Sequence, residues 1–91
     1  MKIKMKEYGS VLTGREFGKT VFTELRPKLV PPVILDFSEV ASLGSSFGDE
    51  VVPAIARLQG DAVQIVNANH VVKEILKDVA EDGGIELQIS R

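Results

Sequence analysis

The 91-residue chain carries eleven Lys and Arg against thirteen Asp and Glu, a formal net charge of −2, with 44% hydrophobic and 26% charged residues. That length sets one domain with one small core, and the composition excludes disorder and a broad basic surface for nucleic acid. The absence of Cys and the single His exclude disulfides, thiolate metal sites and a histidine metal cage, so no cofactor is expected.

The N-terminus alternates, with Lys2, Lys4 and Lys6 on one side and Ile3 and Met5 on the other. A period of two over residues 2–7 predicts a strand with one wet face at a sheet edge. No continuous apolar stretch follows these lysines, as a signal peptide would require, and no run is long enough to span a bilayer. The expected compartment is the cytoplasm, with no membrane partner. Gly9-Ser10 marks a turn, and Val11-Leu12 is short enough to pair only briefly. The period then changes: Phe17, Val21, Leu25 and Lys28 or Leu29 fall near one helical stripe, with Phe22 beside it. Thr13 and Glu16 have the spacing of a capping box, and Leu12 and Phe17 that of a hydrophobic staple. Pro27 and Pro31-Pro32 end this helix.

Val33-Ile34-Leu35-Asp36-Phe37 is a nearly continuous apolar run and predicts a central strand covered on both faces. Residues 38–44 connect it to a second helix starting after Ser45 or Ser46, with Phe47, Val51, Ala54, Ile55 and Leu58 on its stripe. Pro53 crowds the carbonyl of Asp49 and predicts a bend or a broken first turn. Ala62 to Val66 reads as a strand after the Gly60-Asp61 turn. Asn69 is placed to cap a third helix with Val72, Ile75, Leu76 and Val79 inward, and Gly83-Gly84 ends it. Ile85 to Ile89 alternates as a last strand. The order β-α-β-α-β-α-β predicts an α/β fold: one sheet of four or five mostly parallel strands with right-handed crossovers.

Several residue groups invite a chemical reading. Thr13-Gly14-Arg15-Glu16-Phe17-Gly18-Lys19-Thr20 approaches a P-loop, but Thr13 stands where the first glycine belongs, and Glu16 and Phe17 would crowd a phosphate cradle. Ser45 or Ser46 with His70 and an aspartate would make a hydrolase, but Leu43-Gly44-Ser45-Ser46-Phe47 is not G-x-S-x-G. No acid, base and nucleophile converge, so no catalytic residue is assigned. Asp36 is a carboxylate in an apolar strand. It reads either as a general base or anion gate, or as an acceptor for loop amides at the strand end. Asp49 and Glu50 suit the first turn of a helix, and Asn67 and Asn69 suit turns and caps. The Gly44-Ser45-Ser46 corner lies where a strand hands over to a helix. Free N–H groups gather there, and ligands of open α/β sheets collect at that end. Ser46 with Asp49 is spaced to cap this helix, which leaves Ser45 as the freer hydroxyl.

The stretch from Val33 to Ser46 resembles the centre of a STAS domain, the fold of anti-sigma-factor antagonists and sulfate-transporter tails. It is more closely similar to bacterial STAS-like domains of unknown function. The features in common are Arg15 early in the first helix, the Leu35-Asp36-Phe37 strand, Ser45-Ser46-Phe47 followed by Asp49-Glu50, and Asn67-Ala68-Asn69. The resemblance implies a STAS-like sheet over residues 1–91 and a non-enzymatic regulatory module that binds a protein such as an ATPase or kinase-like partner. It places the phosphorylated serine at Ser45, with Ser46 as the neighbouring candidate. Gly44 here replaces the aspartate that precedes that serine in the antagonists. Gly44, Ser45, Ser46, Asp36 and Asp49 are the candidate anion- or partner-binding residues, and a small anion or nucleotide on the Gly44-Ser45-Ser46 helix start is the alternative ligand. The helix that closes a STAS domain has no counterpart before Arg91, so a partner or a second copy is expected on the sheet face it leaves bare.

Overall fold

The computed structural model describes residues 1–90. Four parallel strands form the sheet: β1 (Lys2–Lys4), β3 (Ile34–Asp36), β5 (Ala62–Val66) and β6 (Glu86–Ile89), in the order β1-β3-β5-β6. Two further short strands, β2 (Val11–Leu12) and β4 (Ser42–Leu43), pair with each other in parallel. Three helices alternate with the strands: α1 (Arg15–Leu25), α2 (Ser45–Arg57) and α3 (His70–Gly83).

Each crossover of the main sheet steps in the same direction, from β1 to β3 to β5 to β6. Right-handed connections of that kind place all the helices on one face. The burial pattern agrees with a single covered face. Ile3, Leu35 and Ile65 lie side by side in register and are buried, whereas Lys2 and Gln88 in the next row are exposed and Ile34 and Gln64 are half-buried. The expectation that β3 is covered on both faces therefore fails at Ile34. A continuous apolar run cannot by itself tell a doubly covered strand from one half-shielded by its neighbours. The core between sheet and helices is filled by Phe37, Phe47, Met5, Leu12, Leu35, Ile55, Ile65 and Leu76, each below 2% exposure.

Several local expectations change. The N-terminal strand stops at Lys4, and Met5–Tyr8 turns as a 3-10 helix that drops Met5 into the core. The Val11-Leu12 segment pairs forward with Ser42-Leu43. Gly14, not Thr13, caps α1, and among the described residues no side chain caps its free N–H groups, so the Thr13–Glu16 capping box is not formed. Phe17 leans its ring on Phe47 at 5.3 Å between centroids. The second helix runs on through Pro53 to Arg57, and Leu58 lies outside it and is exposed. Pro53 is buried against Gly83, where a β-carbon would stand 2.8 Å from the proline ring. The third helix follows its signals: Asn69 Oδ1 accepts from Val72 N–H at 2.8 Å, and Gly84 ends the helix in the left-handed conformation. No helix among the described residues is long and apolar enough to cross a membrane.

Candidate functional site

Helices α1 and α2 begin just beyond the paired strands β2 and β4, and Asn69, the cap of α3, donates its side-chain amide to the Val40 and Ala41 carbonyl oxygens, so the three helix starts gather at one edge of the fold. The α2 corner is built by the two-residue ladder beneath it. Gly44 N–H donates to Leu12 carbonyl oxygen at 2.8 Å, which fixes the chain as it leaves β4. Thr13 lies so close that a β-carbon on residue 44 would stand 3.1 Å from Thr13 Cγ2. Glycine at this position thus lets β2 and β4 pair right up to the helix start.

Helix α2 opens with Gly44 as its cap residue, in extended conformation, and Gly48 N–H makes the first intrahelical bond back to Gly44 at 3.0 Å. The N–H groups of Ser45, Ser46 and Phe47 precede that bond and have no helical acceptor. No side chain caps them, so the expected Ser46–Asp49 capping pair is absent. Ser45 is exposed, and Ser46 and Asp49 are half-buried. Helix α1 packs alongside. Gly18 lies against Phe47 and Glu50, and Arg15 reaches Glu50 at 3.4 Å. Around this corner Val11 (56% exposed) and Phe17 (38%) leave apolar surface in solvent.

Asp36 belongs to a different place. It ends β3 and is 6% exposed. Its Oδ1 accepts from Ser38 N–H at 2.9 Å and from Asn67 Nδ2 at 3.0 Å. Those two bonds, the Asn67 amide foremost, hold the carboxyl below the ordinary aspartate range, against burial that pushes it up; Lys2 and Lys4 add to the lowering. The loop-amide reading of Asp36 thus describes its geometry, with Asn67 as a partner that sequence spacing did not announce. Asp36 lines a cleft of about 330 Å³ with Lys4, Lys6, Glu7, Ser38 and Glu39. None of Gly44, Ser45, Ser46 and Asp49 lines it. The five candidate residues are therefore divided between the α2 corner and this cleft.

The remaining candidates stay apart. Arg15 to Thr20 are themselves the first turns of α1, which leaves no phosphate loop there. His70 opens α3, is exposed, and shares no hydrogen bond with Ser45 or Ser46 among the described residues. No group of three or more His, Cys, Asp or Glu among the described residues could hold a metal ion.

Residues 18–80 match the model of a family described as STAS-like domain of unknown function (DUF4325). No curated protein and no solved structure matches the chain. The matched span exceeds half of the 91 residues and contains Asp36, the Gly44-Ser45-Ser46 corner and Asn67 to Asn69. With that span, a four-strand all-parallel sheet and three alternating helices, the chain belongs to the STAS-like domains of unknown function.

Proposed function

We propose that this domain is a non-enzymatic interaction module that offers the start of α2 and the 38–46 connection to a protein partner, with phosphorylation of Ser45 as its control. The partner class, an ATPase or kinase-like protein, comes from the STAS resemblance. The observation that carries the reading is the exposure of Ser45 at the first helical position, on a corner where Val11 pairs with Ser42 and Phe17 leans on Phe47. A hydroxyl buried there would be closed to a kinase. Exposed apolar side chains around a charge-switchable group suit a docking surface that desolvates on binding. A phosphate on Ser45 adds about −1.5 to −2 charges. The helix N-terminus favours that charge, so α2 stays formed and the change is felt by the partner through repulsion and desolvation. The test is mass spectrometry of the native protein for phospho-Ser45, with partner capture by wild type, Ser45→Ala and Ser45→Asp. The expected result is capture by wild type and Ser45→Ala and reduced capture by Ser45→Asp. Equal capture by all three sinks the switch.

A second reading is favoured by one feature of the same corner. Two neighbouring helices, α1 and α2, both start at glycine with no side chain on their free N–H groups. Such starts suit a small anion or nucleotide phosphate. Thermal-shift titration with inorganic phosphate and nucleotides tests this, because a ligand that prefers the native state raises its melting temperature. Absence of saturable stabilisation at millimolar ligand excludes it.

A further inference from the structure

From the cleft at the C-terminal ends of β1 and β3 we infer a second site, one that binds a free α-amino acid through its ammonium and carboxylate groups. Asp36, which lines the cleft, is more than nine-tenths buried. Its Oδ1 is occupied by Ser38 N–H and Asn67 Nδ2, whereas Oδ2 has no hydrogen-bond donor among the described residues. No fully buried side-chain oxygen is left unpaired in the described structure, so Oδ2 reaches the cleft. A carboxylate can accept on both oxygens. One oxygen here is locked by the protein and the other is left for a donor from outside.

Lys4 supplies the opposite charge. It is the direct register partner of Asp36 on the adjacent strand, and neighbouring strands lie about 4.8 Å apart. Lys4 is exposed and has no ion-pair partner among the described residues. Lys6 is already paired with Glu39 at 2.9 Å, which leaves Lys4 as the cation of the lining that is available. A free carboxylate oxygen and a free ammonium, carried on directly paired residues of neighbouring strands, match a ligand with an ammonium beside a carboxylate. The remaining charges decide against a simple anion. The lining has three carboxylates, Glu7, Asp36 and Glu39, against two lysines. A ligand with net negative charge is repelled, and a zwitterion is not. Size decides against a nucleotide, because about 330 Å³ lies at the small end of ligand pockets.

The experiment is a two-dimensional amide NMR titration of the intact chain with free L-amino acids, their N-acetyl derivatives and their amides. The expected result is saturable shifts at Lys4, Asp36, Ser38 and Asn67 with at least one free amino acid at millimolar concentration. Blocking its ammonium or its carboxylate abolishes them. Asp36→Asn is expected to weaken binding about tenfold or more, since a charge-assisted bond is lost. Should Asp36→Asn lose its folded spectrum, the exposed substitution Lys4→Gln carries the test and is expected to weaken binding several-fold. No saturable shift with any amino acid overturns the proposal, as do shifts that survive N-acetylation or binding by Lys4→Gln equal to wild type.

Discussion

Asn67 donates its side-chain amide to Asp36 Oδ1 at 3.0 Å, tying the turn after β5 to the end of β3. Asn67 holds a left-handed backbone, φ 60°, which Asn tolerates better than other non-glycine residues. Two losses can therefore be separated. Asn67→Gly removes the bond and keeps the backbone relaxed; Asn67→Ala removes the bond and strains the backbone. Loss of a hydrogen bond to a charged acceptor costs about 1.5–3 kcal/mol, and the left-handed alanine about 1 kcal/mol more. Urea denaturation should rank the stabilities as wild type, then Asn67→Gly, then Asn67→Ala.

The same carboxylate sets an acid dependence. Its pKa is lowered in the folded protein, so the unfolded chain binds its proton first as pH falls. The contribution of Asp36 is full above the ordinary aspartate range, near about pH 4, and is lost as pH falls through the lower folded value. Asp36→Asn should be less stable than wild type at neutral pH and lose less stability below about pH 5. Denaturation curves of the two proteins between neutral and acid pH should converge on acidification.

Close approach of α1 and α2 depends on Gly18. A β-carbon there would stand 2.9 Å from Glu50 Cβ and 3.0 Å from the Phe47 carbonyl oxygen. Alanine gains up to about 1 kcal/mol of helix propensity but meets backbone it cannot displace, and overpacking costs about 1–3 kcal/mol. Gly18→Ala should lower stability by about 1 kcal/mol, and Gly18→Val by more, in urea or thermal unfolding. Because Phe47 and Glu50 belong to the first turns of α2, the variants should also shift the amide resonances of Ser45 and Ser46.

What was legible in the sequence is what is decided locally. Asn69 and Gly84 mark the ends of α3 because a cap bond and a left-handed residue need no distant partner. The edge position of β1 was legible because Lys2 and Lys4 alternate with Ile3. The starts of α1 and α2 were misread for the opposite reason. Thr13 and Ser46 have capping side chains at capping spacing, yet the β2–β4 pairing fixes where each chain enters its helix and puts Gly14 and Gly44 at the caps. Tertiary pairing outweighs a bond worth about 1 kcal/mol. The cleft announced itself in the sequence only through Asp36. Lys4 comes from β1, Asp36 and Glu39 from β3 and the turn after it, and Asn67, which holds Asp36, from the turn after β5, so the order β1-β3-β5 is what brings these segments together. Asp36 could be singled out as a polar residue in an apolar run, but its partner could not.

Gln59 performs the work of a missing strand residue at the other end of the sheet. Its Oε1 accepts from Val33 N–H at 2.7 Å, and its Nε2 donates to the carbonyl oxygens of Val33 at 3.2 Å and Ala62 at 2.9 Å. Val33 is buried, so its backbone groups have little water to fall back on. Gln59→Leu keeps similar bulk and strands the Val33 N–H, at a cost of about 1–3 kcal/mol. Gln59→Glu keeps an acceptor for Val33 N–H but sets a carboxylate oxygen against two carbonyl oxygens. It should be destabilised at neutral pH and recover part of that loss as pH falls towards about 4, when the protonated acid can donate to one carbonyl. Thermal unfolding of wild type, Gln59→Leu and Gln59→Glu at neutral and acid pH checks both claims. Hydrogen exchange at Val33 should rise in Gln59→Leu, because this bond is what shields the first amide of the β3 segment from solvent.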